Sequence, residues 1–362
     1  MPSSEPQLFV PELKALSRNK NRPAAPKPAT GGHASAVYLM TGQAFEQVYG
    51  PEERAAISSR VKTSHLLITP EGYRSSTETW PDVEIMLCGW GMVSMDEIFF
   101  CRFPKLKVIF YAAGTVRGFV TDDFWRRKIR LTNAAAANAV PVAEFTLAQI
   151  LLALKHGWQQ AAFVRKHGKF PDRSLLPGAY RSTVALISLG AIGRLVAKRL
   201  RDYDLSVVAY DPICPAEVAA QLNVKLVSLE KAFALADVVS CHAPVLKETE
   251  RMIRREHFGS MKPGATFINT ARGAVVDEED MIQMLKKRTD IFAVLDVTDP
   301  MPPVEGSPLY ALDNVLLTPH IAGCLGRECQ RMGKLMVEEL DRYLAGEPLQ
   351  YEIDQERFRT MA

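Results

Sequence analysis

The chain has 362 residues, which is enough for about two domains, and its 47% hydrophobic and 23% charged residues are typical of a soluble globular protein. Its formal net charge of only +3 gives no electrostatic reason to expect binding to nucleic acid or to a membrane surface. The six cysteines have neither the spacing of a zinc site nor that of a redox pair, so we expect no metal centre and reduced thiols in a cytoplasmic protein.

The first part of the chain, residues 1–34, is predicted to be a flexible tail. Residues 17–35 are rich in Pro, Lys, Ala and Gly, and they can bury too little apolar surface to offset the entropy lost on ordering. No stretch approaches the length of about 18 apolar residues that a transmembrane helix requires, so we expect no membrane span.

Residues 35–138 show short apolar runs that alternate with helical segments. Strands are predicted at 36–40, 83–88, 106–112 and 129–133, and helices near 45–61 and 95–101. Apolar runs with little alternation are typical of strands that are buried on both faces. The regular succession of strand and helix predicts an α/β domain with a parallel sheet.

A long apolar segment separates this region from a second one with a stricter rhythm. Residues 140–156 are apolar around almost the whole helix circumference, which predicts a deeply buried helix. Seven strands are then predicted, at 182–189, 205–210, 225–229, 237–242, 266–270, 292–297 and 315–320. This number suits a doubly wound sheet, and residues 324–346 are predicted to form one helix after it.

A glycine-containing turn lies where the first of these seven strands meets its helix. Residues 188–193 follow the G-x-G-x-x-G pattern with Ser188 in place of the first glycine, and the open helix N-terminus there suits a pyrophosphate. Asp211 ends the next strand, where a carboxylate accepts ribose hydroxyls and repels a 2′-phosphate, so NAD is favoured over NADP. The predicted cofactor-binding residues here are Leu189, Gly190, Ala191, Ile192, Gly193, Asp211 and Pro212.

Three further side chains follow later strand ends of the same predicted sheet: Arg272, Asp296 and His320. Because ligands of such sheets bind outside the carboxyl ends of the strands, we expect the three to converge on one crevice. An arginine there can bind a carboxylate through two parallel hydrogen bonds, and a histidine can exchange a hydroxyl proton. This combination predicts hydride transfer to a small 2-oxo acid or from a 2-hydroxy acid.

Three motifs carry a resemblance to a known family: CHAPVLKET at 241–249, INTARGAVVDEE at 268–279 and TPHIAG at 318–323. Together with the preceding features they closely resemble the D-isomer-specific 2-hydroxyacid dehydrogenases, over about residues 60–345. The resemblance implies a catalytic Arg272 and His320 and a substrate loop at Ala113 and Gly114 whose N–H groups meet the substrate carboxylate. It implies further cofactor contacts from His242, Ala243, Pro244, Thr249, Thr270, Ala271, Asp296 and Gly323.

The resemblance also implies a chain path with two doubly wound parallel-sheet domains. An NAD-binding Rossmann domain, residues 139–318, would be inserted into a flavodoxin-like substrate domain made of residues 35–138 and 319–362. It further implies a homodimer that forms through the NAD-binding domain.

One position departs from the family pattern. Met301 stands where the family has a glutamate that orients the catalytic histidine, and a thioether can neither accept such a hydrogen bond well nor favour imidazolium. Three interpretations stay open: an active enzyme, with or without Asp299 or Glu305 as the orienting group; an enzyme with another substrate or a more acidic optimum; or an NAD(H)-binding sensor or scaffold with weak or no turnover. The substrate itself is not predicted, because it depends on side chains such as Trp90, Val116 and Arg117; for Arg117 a surface role is favoured over contact with a second anionic group.

Overall fold

The computed structural model describes residues 34–174 and 176–361, apart from the side chains of residues 64–66. The tail predicted for residues 1–34 therefore lies outside the described residues, except for residue 34. The strands are β1 (Ser35–Leu39), β2 (Lys62–Ile68), β3 (Val83–Cys88), β4 (Val108–Tyr111), β5 (Arg130–Asn133), β6 (Thr183–Ile187), β7 (Ser206–Tyr210), β8 (Lys225–Leu226), β9 (Val238–Cys241), β10 (Thr266–Asn269), β11 (Phe292–Leu295) and β12 (Val315–Leu317). The helices are α1 (Gly42–Val48), α2 (Pro51–Ser58), α3 (Pro70–Ser75), α4 (Glu97–Arg102), α5 (Asp122–Trp125), α6 (Ala135–Ala153), α7 (Gly157–His167), α8 (Ala191–Leu200), α9 (Ala216–Gln221), α10 (Leu229–Leu235), α11 (Arg255–Ser260), α12 (Glu278–Lys287), α13 (Cys329–Leu344) and α14 (Gln355–Thr360).

The described chain divides into two compact units. The first unit contains residues 34–138 and 326–359, and the second contains residues 139–325 together with 360 and 361. The first break lies after Asn138 and the second lies after Leu325, seven residues beyond the predicted break after residue 318.

The first unit is built on a sheet in which every pairing is parallel, with the strand order β2-β1-β3-β4-β5. This is the flavodoxin-like order, so the predicted fold class of this unit is confirmed. Strand β2 is absent from the sequence prediction because it begins with Lys62 and three further residues that form no apolar run. The helix predicted near 45–61 is two helices, since Gly50 and Pro51 end one and begin the other.

The second unit is built on a parallel sheet with the order β12-β11-β10-β9-β6-β7-β8. The seven predicted strands and the Rossmann-type order are thus confirmed. Strand β6 pairs with both β7 and β9, so the direction of winding switches there and a crevice opens beyond the carboxyl ends of β6 and β9. Ala185 and Ile187 pack into one apolar cluster while Val184 and Leu186 pack into another, which shows that β6 is buried on both faces.

Helix α6 differs from the expectation that no segment could span a membrane. It is 19 residues long, with Pro141 inside it, and by length and composition alone it could cross a membrane. However, 44% of its apolar stretch is buried, and Ala143 and Ile150 belong to the apolar core of the second unit. The core helix of a soluble protein can have the same length and composition, so α6 is weak evidence for a membrane span.

Candidate active site

The turn between β6 and α8 leaves a helix N-terminus open. Gly190 is the N-cap residue of α8 and makes no side-chain cap, and a Cβ on Gly190 would approach nothing closer than 3.8 Å. Gly193 has no such freedom, because its Cβ would lie 2.1 Å from the carbonyl oxygen of Ser188. The strand and the helix therefore pack closely only with glycine at 193, and the first-turn N–H groups face space where a phosphate can bind.

Ser188 occupies the position of the missing first glycine. Its φ angle is 81°, in the left-handed region that favours glycine. The backbone thus keeps the conformation expected for a glycine at this position, with a serine in its place.

Asp211 follows β7 and ties two loops together. Its Oδ2 accepts a 2.7 Å hydrogen bond from the N–H of Leu189, and its Oδ1 accepts bonds of 2.9 and 2.8 Å from the N–H groups of Ile213 and Cys214. The hydroxyl of Ser188 is 3.4 Å from the same Oδ2. The predicted ribose-binding carboxylate therefore also fixes the phosphate turn, while the neighbouring Pro212 is exposed.

His242 follows β9 and is buried. Its Nε2 lies 3.1 Å from the hydroxyl of Ser240, whereas its Nδ1 has no hydrogen-bond partner within the described chain. Burial lowers the pKa of His242 to about 3, so the ring is neutral at ordinary pH. A Cβ at Gly193 would lie 3.8 Å from the Cδ2 atom of His242, which places the ring beside the phosphate turn.

The loop that continues from His242 is closed by Thr249. The Thr249 hydroxyl donates a 2.6 Å bond to the carbonyl oxygen of Pro244 and accepts a 2.8 Å bond from the N–H of Leu246. Ala243 is buried at the start of this loop. Thr249 therefore shapes the loop that the resemblance assigns to the adenine pocket.

The segment after β10 is held by Asn269 and Thr270. The side chain of Asn269 accepts a 3.0 Å bond from the N–H of Ala271 and donates a 3.0 Å bond to the carbonyl oxygen of Arg272. The Thr270 hydroxyl lies 3.0 Å from the hydroxyl of Thr146 on α6. These contacts fix the backbone from which the Arg272 side chain projects.

The guanidinium of Arg272 is partly buried and donates a 2.7 Å bond to the carbonyl oxygen of Ala271. Among the described residues it forms no ion pair, and burial lowers its pKa. A partly buried cation without a counter-ion is costly, and a bound carboxylate would offset that cost. The arrangement therefore suits the binding of an anionic substrate.

Asp296 follows β11, is buried, and holds the loop that carries His320. Its Oδ1 accepts bonds of 2.6 Å from the Thr318 hydroxyl and 2.8 Å from the N–H of Ile321, and its Oδ2 accepts a 3.0 Å bond from the N–H of Ala322. His320 has a φ of 54°, and its N–H donates to the backbone oxygen of Asp296 over 3.1 Å. The histidine side chain is exposed, and Gly323 lies just beyond the bonded segment.

The loop after β11 contains Met301 and the two carboxylates, Asp299 and Glu305, that are candidates for orienting His320. Met301 is 55% exposed, and the side chains of Asp299 and Glu305 are exposed too. In the part of the chain that the structure describes, no hydrogen bond or ion pair joins His320 to either carboxylate. Their role as orienting groups stays a prediction.

The same loop is attached through its backbone. The N–H of Asp299 donates a 3.0 Å bond to Glu278, whose pKa is raised by burial. A Cβ on Gly273 would lie 2.1 Å from the carbonyl oxygen of Thr298, so glycine is required where the Arg272 segment meets this loop.

The predicted substrate loop belongs to the first unit and follows β4. The side-chain amide of Asn133 donates a 2.6 Å bond to the carbonyl oxygen of Gly114, and the N–H of Ala134 donates a 2.9 Å bond to that of Ala113. The N–H groups of Gly114 and Thr115 have no acceptor among the residues described. Two neighbouring open N–H groups of this kind suit a carboxylate.

Some residues that shape these sites are missing from the sequence prediction. Thr318 and Asn269 lie inside motifs that point to the cofactor site, so their positions carry a signal, but their hydrogen-bond partners do not follow from the motif. Glu278 lies in the same motif as Asn269, at the start of α12, but the motif carries no signal that links it to the loop after β11.

The sequence profile described as "D-isomer specific 2-hydroxyacid dehydrogenase, NAD binding domain" matches residues 147–322. The chain is 34% identical over 246 residues to a D-3-phosphoglycerate dehydrogenase of Archaeoglobus fulgidus, covering 68% of this chain and 46% of that protein. It is 31% identical over 249 residues to a glyoxylate reductase of Korarchaeum cryptofilum, covering 67% of this chain and 75% of that protein. The crystal structure of the TT0316 protein from Thermus thermophilus is similar with a TM-score of 0.68 and 29% identity, covering 88% of this chain and 100% of that chain.

The chain thus spans about half the length of the phosphoglycerate dehydrogenases that it matches: the alignment covers 46% of the Archaeoglobus fulgidus protein. The match to the profile lies within the second unit and shows that this unit is an NAD-binding domain.

Proposed function

We propose that this chain, which belongs to the D-isomer specific 2-hydroxyacid dehydrogenase family, transfers a hydride between NAD(H) and a small 2-oxo or D-2-hydroxy acid. The observation that carries the proposal is the guanidinium of Arg272. It is partly buried without a counter-ion among the described residues, in the same unit as an exposed His320 whose loop is locked by Asp296. The proposed hydride transfer needs a cation that can bind the substrate carboxylate and an imidazole that can exchange a proton. Arg272 and His320 are groups of these two kinds.

The residues beyond β6, β7 and β9 fit NAD. Gly190 and Gly193 leave an open helix N-terminus for the pyrophosphate, Asp211 suits the ribose hydroxyls, and the buried Nδ1 of His242 still lacks a partner within the described chain. When bound, NAD(H) supplies or accepts the hydride at the nicotinamide ring.

The chain's own groups have distinct tasks in the proposed reaction. Arg272 binds the substrate carboxylate with two parallel hydrogen bonds. In the direction of reduction, the imidazolium of His320 gives its proton to the carbonyl oxygen, and in the direction of oxidation the neutral ring takes the hydroxyl proton. The open N–H groups of Gly114 and Thr115 in the first unit are further donors for a carboxylate.

The decisive test is NADH oxidation with glyoxylate, hydroxypyruvate, 3-phosphohydroxypyruvate, pyruvate and phenylpyruvate, with NADPH in parallel. We expect turnover of at least one of these acids, a preference for NADH, and a product of D configuration where the product is chiral. Arg272→Gln should lower kcat/KM by about 1,000-fold, because a bidentate charged contact is lost. The matched control is Arg255→Gln, since Arg255 is an exposed residue of the same unit that pairs with Asp280.

Two results would overturn the proposal. One is tight binding of NADH without turnover of any acid, which would favour a sensor or scaffold. The other is an Arg272→Gln variant as active as Arg255→Gln, which would mean that the anion site is elsewhere.

We further propose that the protein is a homodimer. The support is the family resemblance together with the apolar character of α6. Light scattering should give about twice the chain mass of 40.2 kDa, and a mass near 40.2 kDa would contradict a dimer.

A further inference from the structure

The C-terminal segment of the first unit is attached to the edge strand β5. The N–H of Ile353 donates a 2.8 Å bond to the carbonyl oxygen of Leu131, and Glu352 pairs with Thr132 in an antiparallel bridge. Arg130 adds a two-pronged contact of 2.9 and 3.1 Å to the Glu352 carboxylate, whose side chain is only 9% exposed. A partly buried, bidentate ion pair of this kind fixes the segment in one register.

A second anchor lies just before this bridge. The carboxylate of Glu339 on α13 is buried and accepts bonds of 3.0 and 3.1 Å from the N–H groups of Gln350 and Tyr351. A buried charge is tolerated where such bonds satisfy it. These bonds fix the backbone of residues 350 and 351, a few residues before α14 begins.

Helix α14 is held at its far end by Arg117. The guanidinium Nη2 of Arg117 donates bonds of 2.8 and 3.1 Å to the carbonyl oxygens of Phe358 and Arg359, and its Cζ lies 5.0 Å from the centre of the Phe358 ring. The same ring packs edge-on against Trp125 at 5.3 Å. The last carbonyl groups of a helix have no partner within it, so a cation is well placed there.

Arg117 belongs to the loop that contains the open N–H groups of Gly114 and Thr115. Its own N–H lies 3.3 Å from the Thr115 hydroxyl. At its other end the loop is held by Asn133, whose amide donates to the Gly114 oxygen from the end of β5. The loop is thus attached on one side to the strand that the C-terminal segment pairs with and on the other side to the helix in which that segment ends.

We propose that Arg117 is a positioning residue and that residues 354–359 form a strap that holds the substrate loop in its carboxylate-binding conformation. This inference rests on the proposed function, in which that loop meets the substrate carboxylate. Arg117 acts through the backbone of residues 113–116. Its guanidinium donates hydrogen bonds to the carbonyl groups of α14 and does not bind a second anionic group of the substrate.

The test compares Arg117→Met and Arg117→Lys with Arg359→Met, which removes a cation from α14 but leaves the carbonyl oxygen that Arg117 contacts. We expect Arg117→Met to raise KM for the 2-oxo acid about tenfold, because a loop must then be ordered on binding. In Arg117→Met the kcat and the Kd for NADH should stay within about twofold of the wild-type values. The KM of Arg117→Lys should lie between those of the wild type and Arg117→Met, and Arg359→Met should have the KM of the wild type.

A variant that ends at Ile353 retains Arg117 but lacks its acceptors. We expect this truncation to raise KM as much as Arg117→Met does, with no further rise when both changes are combined, because both remove the same interaction. Additive effects would overturn the proposal. So would an effect of Arg117→Met that is confined to substrates with a second anionic group, since that would make Arg117 a direct substrate contact.

Hydrogen exchange of the peptide covering residues 111–118 gives a readout that does not need turnover. We expect faster exchange there in Arg117→Met and not in Arg359→Met. Unchanged exchange in Arg117→Met would overturn the strap even if the truncated chain failed to fold. If the wild type turned over no 2-oxo acid, the proposed function would fail, and the exchange result would still decide whether Arg117 orders the loop.

Discussion

The hydroxyl of Thr318 donates a 2.6 Å hydrogen bond to the buried carboxylate of Asp296, which joins the ends of two neighbouring strands at one edge of the seven-stranded sheet, β12 and β11. Both oxygens of Asp296 are used to hold the following loop, through the N–H groups of Ile321 and Ala322. Asp296, which the resemblance assigns to the cofactor, therefore has a second task. It fixes the backbone that carries His320.

The first prediction concerns Thr318→Val, with Thr318→Ser as its matched control. Valine removes the donor but keeps the shape, so we expect the free energy of unfolding to fall by about 1–2 kcal/mol, because a buried carboxylate loses one of its bonds. We expect kcat to fall about tenfold, since a looser loop holds His320 less often in a reactive position. Serine should retain most of both quantities. Denaturant unfolding and steady-state kinetics measure them, and a Val variant with unchanged kcat would mean that the Thr318 bond does not position His320.

The sequence predicts the strand ends of the second unit well because a parallel sheet places the residues after its strands at one edge. Arg272, Asp296 and His320 therefore follow β10, β11 and β12, which are neighbours in the sheet. Hydrophobic periodicity distinguishes buried from exposed faces, but it does not show which donors a polar side chain will meet. The bonds from Thr318 to Asp296 and from Asp299 to Glu278 depend on loops whose course only the packed structure gives.

In the first unit, prediction is weaker where the signal is short. Strand β2 has its apolar residues only at its end, and α14 is a six-residue helix whose place depends on Arg117 and Glu352. Arg117 shows why single charged residues are hard to interpret from sequence. Its surface character is compatible with many roles, and only the contacts with the carbonyl groups of α14 select one of them.

The second prediction concerns Met301→Glu, with the neutral, similarly sized Met301→Gln as its control. A carboxylate near an imidazole favours imidazolium, so we expect the acid limb of the oxidation profile and the alkaline limb of the reduction profile to move upward by about one pH unit. Activity in the direction of reduction at neutral pH should rise as well. Initial rates of wild type, Glu and Gln variants between about pH 5 and pH 10 measure the shift. Identical profiles for Glu and Gln would show that residue 301 does not reach His320.

The third prediction concerns the pH dependence of stability through His242. Burial lowers its pKa from the ordinary 6.5 to about 3, so the folded protein excludes a proton that the unfolded chain binds. The stability that His242 contributes is therefore complete above pH 6.5 and is lost as the pH falls towards 3. Between these limits we expect the free energy of unfolding of the wild type to fall, relative to His242→Gln, by up to about 1.4 kcal/mol per pH unit.

Urea unfolding between about pH 4 and pH 8 of the protein without NAD measures this difference. The matched control is His167→Gln, because His167 is exposed at the end of α7 and should leave the pH dependence of the wild type unchanged. A His242→Gln variant with the pH dependence of the wild type would show that His242 is not neutral and buried in solution.

The last prediction concerns the strained serine of the phosphate turn. Ser188 has a φ of 81°, where an L side chain is disfavoured, so Ser188→Gly should raise the free energy of unfolding by about 1 kcal/mol after allowing for the greater freedom of glycine in the unfolded chain. Ser188→Ala is the matched control, since it also loses the hydroxyl beside Asp211 but keeps the Cβ and hence the strain. We expect the alanine variant to be no more stable than the wild type. Denaturant unfolding of the three proteins without cofactor measures these differences. Equal stability of the glycine and alanine variants would show that the turn is not held in the left-handed conformation. A gain in stability confined to the glycine variant would locate the strain in the backbone that is proposed to bind the cofactor phosphates.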